Sequence, residues 1–134
     1  MVFRRRRGVA IVETNEGILV VATKRKWFIL PGGGAEKWES RKKATIRELY
    51  EETGLKTKNL TYLFSHKGKV HNFKGRNVIN YSKVFLVKSE GNPKPNNEIE
   101  HIDFWREGKK INISESTKDI INQYLSSKLQ HEQV

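Results

Sequence analysis

The chain has 134 residues, no cysteine, and 26 lysines and arginines against 15 acids, for a formal charge of +11. Disulfides and thiolate metal sites are excluded, and no apolar run approaches the roughly 18 residues of a membrane span, so one cytoplasmic domain over residues 1–134 is expected. A surface of that sign draws polyanions: nucleotides, polyphosphates, nucleic acid or acidic lipid.

Four arginines, Arg4 to Arg7, lead into the apolar run 8–13, which suits a buried strand. A turn at 14–17 and renewed apolar character over 18–22 predict a hairpin. Residues 24–26 interrupt with charge, and 27–30 read as a short strand feeding Pro31, Gly32, Gly33 and Gly34, a loop that fits no regular element. The next stretch is helical, with Ser40 as N-cap and Gly54 as a left-handed C-cap. Segments 60–64 and 78–87 are β-rich and are separated by a polar loop over 67–77. Residues 89–97, with Pro93, Pro95 and three asparagines, read as a flexible loop. A strand over 101–105 follows, then a second helix from Ser114 with Ile120, Ile121, Tyr124 and Leu125 as its buried stripe and a frayed tail over 127–134. Together these predict an α+β fold with helices covering a mixed sheet.

On the first helix Glu48, Glu51 and Glu52 stand at i, i+3 and i+4, on one face. Carboxylates so placed repel, and an isolated helix gains nothing from them. A hard divalent cation with oxygen ligands would repay the repulsion; a merely solvated acidic face is the plainer alternative. The neighbouring residues extend the pattern. Gly33, Glu39, Arg47, Glu48, Leu49, Glu51, Glu52, Gly54 and Leu55 follow the spacing Gly-x5-Glu-x7-Arg-Glu-aliphatic-x-Glu-Glu-x-Gly-aliphatic. That resembles the Nudix box at every defined position, a coincidence with chance odds on the order of 10⁻⁷ or less.

The resemblance implies an α/β/α sandwich with a mixed sheet between helices, and Mg²⁺- or Mn²⁺-dependent hydrolysis of a phosphoanhydride. It implies that Glu48, Glu51 and Glu52 ligate the metal together with backbone at Gly32 or Gly33. Arg47 would orient a box glutamate through a bidentate contact, and Glu39 would support the junction of loop and helix. The general base would come from the box, Glu51 or Glu52, or from a later loop, where Glu98 is favoured over Glu100. Trp38 stands where family members usually carry a small residue and would either stack on a base or cover the loop. Phe73, Tyr81 and Trp105 are further stacking candidates, His66 and His71 could meet phosphate, and Arg4 and Arg6 are the expected substrate-binding arginines.

Substrate marks lie downstream of the box. Residues 69–71 lack the proline common in ADP-ribose pyrophosphatases, and Phe73 lacks the hydroxyl of the tyrosine common in dinucleoside polyphosphate hydrolases. By elimination a MutT-like (d)NTP pyrophosphohydrolase leads, ahead of dinucleoside or diphosphoinositol polyphosphate hydrolases. An RNA 5′-end pyrophosphohydrolase and a non-catalytic binding module are the other classes. Monomer and homodimer are both open.

Overall fold

The computed structural model describes residues 1–132. Its elements in order are β1 (Phe3–Ile11), β2 (Glu13–Thr14), β3 (Gly17–Ala22), β4 (Gly32–Gly34), α1 (Arg41–Thr53), β5 (Lys56–Lys67), β6 (His71–Phe73), β7 (Arg76–Glu90), β8 (His101–Trp105) and α2 (Glu115–Glu132). The main sheet runs β4-β1-β7-β5, with β6 also on β7; a smaller sheet runs β2-β3-β8. β1 and β7 are parallel and the other pairs antiparallel, so the main sheet is mixed, as expected.

Both faces of the strands are covered, which is why they read as continuous apolar runs. On β1, Val9 and Ile11 join the core that includes Val20, Val84, Ile120, Ile121 and Tyr124. Ala10 faces the other way, into a cluster with Leu19, Leu49, Leu55 and Phe85. The sheets thus lie between α2 and α1, the sandwich expected. No helix of the described residues is long and apolar enough to cross a membrane.

Four expectations are corrected. The hairpin of 8–13 and 18–22 forms only at its tip, where Glu13 pairs with Ile18 and the Leu19 N–H donates to the Val12 carbonyl at 2.9 Å; beyond it β1 pairs with β4 and β7, and β3 with β8. Residues 27–30 form only isolated bridges, Val21 with Ile29 and Phe28 with Ile113. The glycines, by contrast, are a strand: Gly32, Gly33 and Gly34 pair with Val9, Gly8 and Arg7, because an antiparallel partner supplies what intrinsic propensity withholds. α2 continues to Glu132 rather than fraying after Ser126; Gln133 and Val134, the end of the expected tail, lie outside the described residues.

The polar loop over 67–77 also gains structure. β6 folds back on β7 with Phe73 opposite Arg76. The two-residue turn between them, Lys74 and Gly75, has positive φ at both positions, the hairpin geometry that matches strand twist.

α1 forms where its caps say it should. The Ser40 side chain accepts from the Lys43 N–H at 3.0 Å, and Gly54 at φ 76° closes the helix with its N–H on the Tyr50 carbonyl. Leu49 and Thr45 are fully buried against β1, where Gly8 lets the helix approach.

Candidate active site

Arg47 is the hub of the acidic face. Its Nε and Nη2 donate to the two Glu39 carboxylate oxygens at 2.8 and 2.9 Å. Nη1 donates to Glu48 at 2.8 Å and Glu51 at 3.2 Å, and Nη2 also reaches the Gly34 carbonyl at 3.2 Å. The bidentate grip is therefore on Glu39, itself one of the spaced glutamates, with single contacts to the helix glutamates. Glu39 in turn accepts the Glu36 N–H at 2.9 Å, so it does brace the junction of loop and helix. The Arg47 hydrogen bond holds the Glu39 carboxyl down at a pKa of about 2, and the same contact raises that of Arg47.

Glu52 and Glu48 are placed differently. Glu52 turns beneath the glycine strand and accepts the Gly32 N–H at 2.9 Å. Burial pushes its pKa up to about 8, against the pull of that hydrogen bond, and the Glu48 charge adds to the rise. Burial also raises Glu48. Gly33 admits Glu48: a Cβ there would lie 2.5 Å from the Glu48 Cδ. Glycine is required at this point for close approach rather than for flexibility.

Among the described residues, no three His, Asp or Glu side chains converge as a finished metal cage. The physical reason is visible: Glu51 and Glu48 are drawn onto Arg47, and Glu52 onto Gly32. The donors still fit a hard divalent cation. They are oxygens only, those of Glu48 and Glu52 belong to half-buried carboxylates whose pKa burial raises, and Mg²⁺ takes only one or two carboxylates when phosphate oxygens complete its shell.

Alternation along β1 divides the arginines between its two faces. Arg5 and Arg7 share one face of the strand and Arg4 and Arg6 the other. The guanidinium of Arg5 lies within 3.3 Å of where a Gly34 Cβ would be and stacks on Phe73 at 4.6 Å, and its charge interacts with Glu48. Arg7 interacts with Glu52 and Glu48; burial lowers its pKa to about 10, and its buried Nε has no hydrogen-bond partner. Arg6 instead donates to the Glu39 carbonyl at 3.1 Å and Arg4 stacks on Tyr81 at 5.6 Å. The expected Arg6 therefore lies at the junction of loop and α1, while Arg5 and Arg7, on the side of β1 shared with Val9 and Ile11, are further cations whose charges reach Glu48 and Glu52.

Arg7 also lines a cavity of about 330 Å³ with His66, His71, Asn80, Ser82 and the start of α2 at Ser114. The buried Asn80 Oδ1 has no partner either. Phe73 lines a second, basic hollow beside Gly34. Trp38 does not cover the loop: it is 93% exposed at φ 71° and lines neither hollow. Tyr81 is half-buried beneath cations, and Trp105 packs on the core.

Glu98 is exposed, and its charge acts on both Glu48 and Glu52. Its loop is not free. The Lys94 and Asn96 N–H groups donate to the Thr53 and Glu52 carbonyls at 3.0 and 3.1 Å, and the Asn97 amide donates to the Glu51 carbonyl at 2.9 Å. Those are the open carbonyls of the end of α1, so the loop is a tertiary cap on the acidic helix. Asn97 was not singled out from the sequence, and a partner so distant leaves no local signal.

A NUDIX domain model matches residues 3–123. The fold is similar to that of a candidate nudix hydrolase family member from Chromobacterium violaceum (36% identity, 91% of this chain and 77% of that one, TM-score 0.77). It is also similar to a MutT NUDIX hydrolase from Burkholderia pseudomallei (22% identity, 90% and 97% covered, TM-score 0.76) and to a UDP-X diphosphatase (22% identity, 96% and 64% covered, TM-score 0.75). No match was found among curated protein sequences.

Proposed function

The chain belongs to the Nudix hydrolase family, and on that premise we propose that it hydrolyses (d)NTPs in the MutT manner, giving a nucleoside monophosphate and pyrophosphate. Pyrophosphohydrolase activity on nucleotide-linked small molecules is the general property of the family; the substrate is our reading. The observation that carries it is the pair of half-buried carboxylates at the glycine strand, Glu48 against Gly33 and Glu52 on the Gly32 N–H, within electrostatic reach of Arg7, whose buried Nε has no hydrogen-bond partner. An anion with several phosphates is what both kinds of misplaced charge call for: phosphate oxygens meet Arg5 and Arg7, and a divalent cation shared with Glu48 and Glu52 offsets the acids.

Mg²⁺ or Mn²⁺, once bound, supplies charge neutralisation at the leaving pyrophosphate and a more acidic water. The rest falls to the chain. Arg5 and Arg7 hold the phosphates in line, and the Gly33 backbone keeps Glu48 close without a side chain intervening. Arg47 keeps Glu51 and Glu48 at fixed positions on α1. Glu98, delivered by its capped loop, takes the proton of the attacking water in this reading. The cavity beside Arg7 is large enough for a nucleoside, with Asn80, Ser82 and the N-terminus of α2 offering polar groups to a base edge. A cytoplasmic setting, where nucleotides are abundant, belongs to the same proposal.

The test is a substrate panel: NTPs, oxidised dNTPs, dinucleoside polyphosphates, ADP-ribose, a nucleoside diphosphate sugar and a diphosphoinositol, each with and without Mg²⁺. Highest kcat/KM on a triphosphate, with pyrophosphate released, is the expected result. Preference for a diphosphate-linked substrate, or orthophosphate as the product, overturns the MutT reading.

A further inference from the structure

We propose that one end of the main sheet is a docking surface for an anionic lipid bilayer, separate from the carboxylate site. No helix of the described residues is long and apolar enough to cross a bilayer, so the contact is with its surface.

Register places this end. β1 and β7 run parallel with Phe3 opposite Val78, so both start here, and β6 reaches it where Phe73 pairs with Arg76. β4 runs the other way and delivers Gly34 and the loop after it. That loop is laid on β1: the Ala35 N–H donates to the Arg6 carbonyl at 2.8 Å, and Arg6 Nη2 donates to the Glu39 carbonyl at 3.1 Å. Among these pieces lies an open cleft of about 660 Å³ whose lining carries five cations, Arg4, Arg5, Arg6, Lys74 and Arg76, and no acid. Alternation sends Arg5 to one face of the sheet and Arg4 and Arg6 to the other, so a partner engages all three only by meeting the sheet end-on.

Charge alone would draw any polyanion. The aromatic residues narrow the choice. Phe73 lies under the Arg5 guanidinium at 4.6 Å and the Lys74 ammonium at 5.2 Å, and Phe3 under the Arg76 guanidinium at 4.7 Å. Ring faces occupied by the protein's own cations are closed to the bases of a single-stranded nucleic acid, which need them for stacking. Val2 and Phe3 are still exposed, and so are Arg4, Arg6, Lys74 and Arg76.

Trp38 is the second, independent observation. It precedes the Glu39 carbonyl that Arg6 holds, is almost fully exposed, and has the Lys37 ammonium 5.7 Å from its ring. Its φ of 71° is one that bulky residues rarely adopt. Backbone strain with no packing to offset it points to a contact outside the chain. Exposed rings set among lysines and arginines match a headgroup layer. The cations meet lipid phosphates and carboxylates, while indole and phenyl groups enter the boundary with the acyl chains.

The full chain is sedimented with vesicles of phosphatidylserine and phosphatidylcholine in equal parts, and with vesicles of phosphatidylcholine alone. Binding to the first and not to the second is expected, with tryptophan emission moving to shorter wavelength as the indole leaves water. Lys74→Ala/Arg76→Ala should weaken partition onto anionic vesicles about thirtyfold, for two cations near a charged surface, while Mg²⁺-dependent turnover of GTP in solution is unchanged. Trp38→Gly should abolish the emission shift and raise the melting temperature, because glycine holds that φ without strain. Equal binding to both kinds of vesicle, no binding to either, or a double variant that binds as the parent does overturns the proposal. So does a Trp38→Gly variant that melts lower and keeps the shift, or a single-stranded RNA or polyglutamate that binds these cations where vesicles do not. Nucleotide turnover without vesicle binding sinks this surface alone; vesicle binding without nucleotide turnover leaves it standing and sinks the substrate reading.

Discussion

Arg47 donates to Glu39, Glu48, Glu51 and the Gly34 carbonyl, whereas Arg7, whose charge reaches Glu48 and Glu52, keeps a buried Nε without a partner. The two guanidiniums differ in what they are for. Arg47 is satisfied in the protein as it stands, so its return is positional: it fixes the loop, the helix and two of the acids relative to one another. Arg7 is costly to fold, because a desolvated cation without a close hydrogen bond is uncompensated, and a strongly shifted group in a cavity marks a place where an anion is expected. The carboxylates divide in the same way, Glu39 held ionised and Glu52 held close to neutrality.

The strongest way to break that contrast is at Glu52. Glu52→Gln should lower Mg²⁺-dependent kcat by about 10³-fold, the scale of losing a preorganised electrostatic group, while the melting temperature stays or rises because the fold no longer has to hold a carboxyl group protonated. Retained turnover would remove Glu52 from the chemistry. Next come the arginines, exchanged in parallel. Arg7→Met should raise KM for a triphosphate about 30-fold with stability unchanged or improved. Arg47→Lys should do the reverse, costing about 2 kcal/mol by denaturant titration because an ammonium cannot span the Glu39 fork. If both variants lose stability equally, the division between clamp and substrate ligand fails.

The pH dependence of the metal-free protein sharpens the same point. Glu52 has its folded pKa raised to about 8, so its contribution to stability is fully present below the ordinary carboxyl value of 4.5 and is lost as pH rises through 8. Glu39 has its folded pKa depressed to about 2, so its contribution is present above 4.5 and is lost as pH falls through 2. Melting temperature without metal should therefore decline from pH 5 to pH 8.5, and Glu52→Gln should flatten that decline. A slope that survives the substitution would assign it elsewhere.

The acidic helix was legible because everything that specifies it is local: the 3.6-residue period of Glu48, Glu51 and Glu52, the Ser40 hydroxyl, and the Gly54 conformation. What failed was partner choice. Strands buried on both faces carry no alternation to reveal their register, so the hairpin at Val12 and Glu13 was extended along β1, and the glycines looked unfit for a strand until β1 lay beside them. The arginine run is hard to read for a related reason. Four identical residues have no pattern of their own, and which pair faces the acids depends on where the pleat begins.

The loop before β8 gives the finest test. Its composition reads as flexible, yet Lys94, Asn96 and Asn97 spend their donors on the last carbonyls of α1. Asn97 holds φ 53°, which asparagine tolerates better than most residues, and its amide is the side-chain part of that cap. Asn97→Gly keeps the backbone open to that conformation and removes only the amide, so it isolates the tether from the turn. If Glu98 acts from this loop, kcat should fall about fivefold, for one lost hydrogen bond of about 1 kcal/mol, while KM for the nucleotide holds. A rise in KM with kcat intact would place Glu98 among groups that bind substrate rather than among those that move its protons, and the contrast would then rest on Arg7 and Glu52 alone.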